Sequence, residues 1–307
     1  MFFRTYSLSV GLLTLVSGLA IAAPAVAGVP LAWATLRSST NQVNLVSVAQ
    51  GARPALLAEC FGPGETLSTA ALANAEVLFN DGSLARLGEQ AELRFWPETR
   101  KLYLDQGTAA LFVPPGQGRT TIQTPNATVG LNSSGVVVRH APSRGLTLVM
   151  ALANSATGPV LITTGETGQE FALHAGQMAL INGVTPQILE FDLLEFYQTS
   201  DLMADLDLAN PDYQPVANEP LAALRPDLLA ALAQQPPFSQ NDGILDPNLI
   251  SDVVPAPDLQ SIEPSPELLP TPTEELRRDN DAPPGVVTPL PTNTSNSTAP
   301  VEPTGGS

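Results

Sequence analysis

The 307-residue chain carries a formal net charge of −17, from 13 Lys and Arg against 30 Asp and Glu, and contains one cysteine. A field of that sign repels nucleic acid and acidic lipid surfaces, which excludes anionic polymers of that kind as partners. A single cysteine cannot build an internal disulfide framework, so stability must come from a buried core.

The chain opens Met1-Phe2-Phe3-Arg4, runs without charge from Leu8 to Ala23 and reaches Ala25-Val26-Ala27 before Gly28. A short basic start, an apolar stretch and a small-x-small site are the marks of a secretory signal peptide. Residues 1–27 are expected to be removed by cleavage between Ala27 and Gly28. The stretch is shorter than the roughly 20 apolar residues of a spanning helix and is interrupted by Gly11, Gly18 and Pro24; retention as an uncleaved anchor is the alternative. No later segment is long enough to span a bilayer, so no integral span is expected after cleavage. The expected location is the periplasm or exterior of a bacterium. Residues 28–42 read as a linker.

From 43 to 186, short runs at period two are punctuated by turns every eight to twelve residues, the pattern of an all-β domain. Ala91, Leu93 and Phe95 alternate with Glu92 and Arg94, and Leu102 and Leu104 with Lys101, Tyr103 and Asp105, so each run offers one apolar face. Asn80-Asp81-Gly82-Ser83 lies between the apolar runs Ala75–Phe79 and Leu84–Leu87, a strong hairpin signal. Gln106-Gly107 reads as a second strand-separating turn. Further runs lie at 120–124, 127–131, 136–140, 146–152, 159–163, 170–173 and 177–181. The expected fold is a sandwich or β-roll of about a dozen short strands. Cys60, in the apolar run that starts at Ala55, reads as a buried small hydrophobe.

The period then changes. Leu189, Leu193, Phe196, Ser200, Met203 and Leu206 recur at spacings of three and four, with Glu190, Asp192 and Glu195 toward the N-terminal end, which predicts an amphipathic helix over 187–210 packed on the domain. From 211 to 307 the chain holds 19 of its 30 prolines and 14 acidic residues against Arg225, Arg277 and Arg278. So little apolar surface cannot offset chain entropy, and an acidic, proline-rich disordered tail is expected. Within it, 221–233 and 244–254 are apolar enough to act as short recognition motifs, and 286–303 has the composition of a spacer.

No catalytic, metal or cofactor constellation emerges. His140 and His174 are far apart and join no ligand cluster, Ser133-Ser134-Gly135 lacks the pattern of a hydrolase elbow, and Gly116-Gln117-Gly118-Arg119 precedes a strand where a phosphate loop needs a helix. Asn126, Asn132, Asn293 and Asn296 fit the glycosylation tripeptide, a common chance match in a chain rich in Asn, Ser and Thr. The expectation is a protein that is not an enzyme and uses no cofactor.

The order of motifs resembles the FecR domain family, the periplasmic part of bacterial signal-transducing regulators. Gly64-Glu65-Thr66-Leu67-Ser68-Thr69 is similar to its opening turn and strand, Ala75 to Leu87 around Asp81, Gly82 and Ser83 to its hallmark hairpin, and 102–112 around Gly107 to the next strand pair. Thr121 to Gly130, with Thr124-Pro125 and Gly130, is similar to its Thr-Pro segment before a Gly-Thr pair, and Ala175-Gly176-Gln177 to its last turn. After Gly130 the family's Thr is replaced by Leu131-Asn132-Ser133-Ser134-Gly135, where a reshaped loop or bulge is expected.

The resemblance implies a non-catalytic envelope domain that binds or scaffolds a protein or a cell-surface polymer, with envelope signalling as one setting. Members that regulate sigma factors resemble a cytoplasmic segment and a membrane helix followed by this domain, whereas a signal peptide stands here. The alternative is a wall- or polysaccharide-associated structural protein with an acidic spacer, in which Trp96 and Tyr103 are the sugar-stacking residues.

Overall fold

The structure, a computed structural model, describes residues 28–165 and 168–238. The expected signal peptide, the recognition motif at 244–254 and the spacer at 286–303 lie outside the described residues. In chain order the strands are β1 (Ala34–Thr40), β2 (Val43–Ser47), β3 (Gly51–Pro54), β4 (Cys60–Phe61), β5 (Thr66–Thr69), β6 (Asn74–Phe79), β7 (Leu84–Leu87), β8 (Glu92–Phe95), β9 (Lys101–Phe112), β10 (Thr120–Gln123), β11 (Ala127–Leu131), β12 (Gly135–Ala141), β13 (Leu146–Ala151), β14 (Val160–Thr164), β15 (Glu170–Leu173), β16 (Gln177–Ile181) and β17 (Gln187–Glu190). Two helices follow, α1 (Leu193–Thr199) and α2 (Arg225–Gln234). The fold is all-β, with more strands than the dozen expected.

The strands form two sheets that share β9. Sheet A runs β4-β1-β6-β7-β9-β12-β13-β16-β17, antiparallel throughout. Sheet B runs β3-β2-β5-β8-β9-β10-β11-β14-β15, antiparallel except for the parallel pair β9–β10. Gln106-Gly107 does not separate two strands as expected. The first half of β9 pairs in sheet B and the second half in sheet A, and the strand passes from one to the other at Gly107, whose φ is +78°. A Cβ at 107 would lie 2.4 Å from the Cα of Ala91, so glycine here serves both the bend and the close approach of β8.

The alternating apolar residues meet between the sheets. Leu36, Val77, Phe79, Leu87, Leu111 and Val138 of sheet A face Leu45, Leu67, Phe95, Leu104, Ile122 and Val129 of sheet B in one core. Phe95 packs edge-on against Phe61 and Phe79. A second core lies on the outer face of sheet A, where Ala110, Val137, Met150 and Met178 are covered by Phe191, Leu193, Phe196, Met203, Leu206 and Leu228. Strands buried on both faces read as continuous apolar runs, as do Val136-Val137-Val138 and Leu146 to Ala151.

Three expected boundaries change. The linker at 28–42 contains β1, whose buried Ala34 and Leu36 pair against β6; their alternation was present but lay ahead of the region read as strands. The helix expected over 187–210 is confined to α1, because Gln187–Glu190 completes sheet A instead. Asp192 caps α1 by accepting the Glu195 N–H at 3.0 Å, but the chain leaves the helix at Ser200 and turns at Asp205 and Asp207, both with positive φ. The periodic stripe is still buried at Leu193, Phe196, Met203 and Leu206.

The third change concerns 211–238, which was expected to be disordered and is folded. Leu221, Leu224, Leu228 and Ala231 join the second core. Arg225, 5 % exposed, is held by Glu219 at 2.6 Å, donates to the Leu206 and Asp207 carbonyls and lies over the Tyr213 ring. Its satisfied charge lets an otherwise acidic segment dock.

Two glycine substitutions separate strain from crowding. Gly82→Ala places a Cβ in open space, with Pro114 3.8 Å away at a φ of +84°, and is expected to lower stability by about 1 kcal/mol. Gly107→Ala adds the clash with Ala91 and is expected to cost about 3 kcal/mol or more in denaturant unfolding. Equal losses for the two would show that the crossing at 107 is not sterically constrained.

Candidate functional site

The hairpin signal at 80–83 folds as read, joining β6 to β7, but its side chains turn inward. Asp81 Oδ1 accepts the Ser83 N–H at 2.9 Å, and Oδ2 accepts the Ser83 hydroxyl at 2.8 Å and the Arg100 guanidinium at 2.6 Å. Arg100 also donates to the Thr120 hydroxyl at 2.7 Å and to the Val29 carbonyl at 2.6 Å. Next to it, Asn80 accepts the Ala32 N–H and donates to the Pro30 carbonyl. Gly28 completes the contact: a Cβ there would lie 2.0 Å from the Gln117 carbonyl oxygen. The Asp-Gly-Ser turn is therefore a buried clasp joining residues 28–32, β6–β7, Arg100 and the start of β10.

The Thr-Pro segment builds a second clasp. Thr124 Oγ1 receives the Ala127 N–H at 3.1 Å and lies 3.1 Å from Thr147 Oγ1. The Thr147 hydroxyl donates to Asn126 Oδ1 and also lies 2.9 Å from Nδ1 of His140. Asn126 donates in turn to the Gly145 and Ile181 carbonyls, so Asn126, one of the glycosylation matches, is part of the structure's interior bonding. Pro125 presets the turn into β11. Burial pushes the His140 imidazole below its ordinary value of 6.5, and Asp105 pulls weakly the other way.

Gly130 sits mid-strand in β11, between Thr121 of β10 and Leu161 of β14. The Arg119 guanidinium lies against it: a Cβ at 130 would come 2.5 Å from Arg119 Nη2. The segment after Gly130 is a short turn with Ser133 at φ +47°, and the Ser134 hydroxyl donates to the Ala153 carbonyl. Cys60, expected to be buried, is exposed beside Thr35 at 3.3 Å, because β4 pairs at the margin of sheet A and turns Phe61 inward instead. Arg94 lies over Tyr103 at 4.6 Å and over Trp96 at 5.7 Å, so one face of the Tyr103 ring is already occupied by a cation. His174 is exposed and distant from His140 in the sequence. Among the described residues no three His, Cys, Asp or Glu side chains gather as metal ligands, and no helix is long and apolar enough to cross a membrane.

The motif residues thus fasten the fold, and the surfaces left over are strand edges. β3 is marked by Arg53 and Pro54, β4 has two residues, and Glu170 of β15 faces Arg119 at 3.7 Å; charge, proline and short length are the usual ways of blunting an edge. β17 pairs only with β16 among the described residues, and its one charge, Glu190, stands at its C-terminal end. Its Ile188 ends the inner row Leu87-Ala109-Val138-Val149-Ala179 of sheet A, yet is 42 % exposed. No sequence signal distinguished this edge, since Ile188-Leu189 was read as the start of the helix.

The family model described as FecR protein matches residues 65–151. Over this stretch the chain is similar to a FecR domain. The stretch covers β5 to β13 and the centres of both clasps, Asp81 with Arg100 and Thr124 with Thr147, while β1–β4 and β14–β17 extend the sheets on either side of it. Two crystal structures of a candidate anti-sigma factor from Parabacteroides distasonis ATCC 8503, at 1.65 and 2.50 Å, resemble the chain at 17 % and 16 % identity with TM-scores of 0.37 and 0.36. Each similarity covers 44 % of this chain, and 65 % and 64 % of the other chain, less than two thirds of its length. No curated protein matches.

Both clasps of the FecR domain are open to measurement. Asp81→Ala strands the Arg100 guanidinium, 8 % exposed, and is expected to cost about 3–5 kcal/mol in chemical unfolding, with the Asp81→Ala, Arg100→Met double variant less destabilised than the sum of the two single changes. Additive losses would mean that the pair is not coupled. For His140, the folded state resists protonation while the unfolded chain accepts it near 6.5, so stability is full above that pH and falls as the pH drops below it. His140→Gln is expected to flatten the fall in unfolding midpoint between about pH 7.5 and pH 5; an unchanged slope would assign the acid sensitivity elsewhere.

Proposed function

We propose that this chain is a non-enzymatic, extracytoplasmic binding protein of the cell envelope, and that its FecR-bearing sandwich holds a protein partner by strand addition at β17. One observation carries this reading: β17 is an edge strand whose exposed Ile188 prolongs an otherwise buried apolar row. An edge of this kind offers unpaired backbone groups for affinity and alternate side chains for selectivity. The FecR domain supports a regulatory setting in the envelope, and the signal peptide read from the sequence supports delivery there.

Catalysis has no place in the proposal. The two side chains best suited to it, Asp81 and His140, are committed to Arg100 and Thr147. The sugar-binding alternative loses a ring face at Tyr103 to Arg94.

A photo-crosslinking residue at 188 is expected to capture a discrete envelope protein from bacterial extract, whereas the same residue at Leu56, exposed in the turn before β4, is not. Ile188→Lys is expected to lower recovery of that protein about tenfold or more while leaving the unfolding midpoint in place. Equal capture at both positions, or undiminished recovery by Ile188→Lys, would overturn the assignment of β17.

A further inference from the structure

The helical layer does not cover all of the outer face of sheet A. It lies over the row Ala110-Val137-Met150-Met178, and covers only in part a parallel row, Thr108-Arg139-Leu148-Leu180, in direct cross-strand register, in which Leu148 is buried and the other three are half-buried. Between that row and the end of α1 lies a cavity of about 520 Å³. Its lining combines Val137, Leu148, Met150 and Phe196 with Thr108, Arg139 and Ser200. The walls are about evenly polar and apolar, and the volume lies in the range of small-molecule sites.

Arg139 is the unusual member. Seven of the nine described arginines stand within ion-pair distance of a carboxylate. Arg144 and Arg139 do not; Arg144 is exposed on a surface turn, whereas Arg139 is half-buried in the middle of β12. In a chain of net charge −17, where carboxylates are abundant, a half-buried guanidinium without one is free to take a carboxylate from a ligand. Ser200 adds a hydroxyl. It is 6 % exposed and lines the cavity, and its hydroxyl has no protein partner among the described residues.

The wall around these groups is built. Arg86, paired with Glu76 at 2.8 Å, donates to the Leu202 and Ala204 carbonyls and so ties the 200–204 turn down beside the cavity. The cavity also includes two carboxylates, Glu89 and Asp201. Glu89 is engaged with the Leu72 N–H at 2.9 Å, and Asp201 is exposed toward solvent. Arg139 is the one cationic side chain of the lining, so an anionic group has to sit on it and away from Glu89 and Asp201, and a multiply charged anion is disfavoured most.

We propose that this cavity is a binding site for a small amphipathic monocarboxylate: the carboxylate on the guanidinium of Arg139 with help from the Ser200 hydroxyl, and a short aliphatic body on Val137, Leu148, Met150 and Phe196. The planar fork of arginine suits a carboxylate bidentately, which a neutral amide of the same shape cannot reproduce. The site is distinct from the β17 edge, and it stands or falls independently of the partner proposed there.

Calorimetric titration of the full chain with octanoate, and separately with octanamide, tests the assignment. Octanoate is expected to bind with one-to-one stoichiometry and at least about tenfold more tightly than octanamide. Arg139→Gln is expected to bring octanoate down to the octanamide level while leaving octanamide binding unchanged, which also reports that the variant is folded. Arg144→Gln is expected to change neither. Absence of octanoate binding, equal affinity for acid and amide, or octanoate binding that survives Arg139→Gln would each overturn the proposal; if Arg139→Gln fails to fold, Ser200→Ala must weaken octanoate more than octanamide for it to stand.

Discussion

A single strand belongs to both sheets, and the rest of the architecture is arranged around that fact. Because β9 is hydrogen-bonded to β8 and β10 along its first half and to β7 and β12 along its second, the two sheets are fixed to each other by covalent chain as well as by packing. The inner faces then meet wherever the bend at Gly107 aims them. The constraint also explains the parallel β9–β10 pair: the chain returns through a loop from Val113 to Arg119 to lie beside the opening half of the same strand, while its closing half is taken by β12.

Sheet A is covered twice, by sheet B and by the helical layer, and this sorts the side chains into two apolar cores with little room for polar groups between them. Many of the buried polar groups gather at two places, around Asp81 and Arg100 and around Thr124, Thr147 and His140, while Arg225 is held by Glu219 in the helical layer. There each finds a partner, as buried polar groups must. The residues that carry the FecR signature are thus mostly fasteners. The recognition proposed above uses what the fasteners leave free, the edge at β17 and the partly covered strip that contains Arg139.

Much of this was legible wherever one sequence signal had one physical meaning. The runs at 127–131, 170–173 and 177–181 are strands with those limits, and Asp81-Gly82 closes the hairpin it promised. Legibility failed where one signal serves two physical ends. Gly107 looks like a turn because glycine usually permits one, whereas here it permits a bend inside a continuous strand. The stripe from Leu189 to Leu206 marks the residues that must be buried, but spacing alone does not tell a helix from a strand, a short helix and two tight turns that bury the same positions. Arg225 counted as one more tail charge until Glu219, Tyr213 and two carbonyls were found around it. The cavity at Arg139 had no sequence signature, since its walls come from segments more than a hundred residues apart.

Those separations matter for a chain that is made from one end. Arg86 finds Leu202 and Ala204 only after 116 and 118 further residues, and the Val29 carbonyl meets Arg100 after 71. A growing chain can therefore assemble the middle of sheet A while the segment that will shield Met150 and Met178 has yet to be synthesised. The species most in need of protection from aggregation is neither the unfolded chain nor the finished protein, but the length between about residue 181 and α2: a nearly complete sandwich with one oily face open to its neighbours.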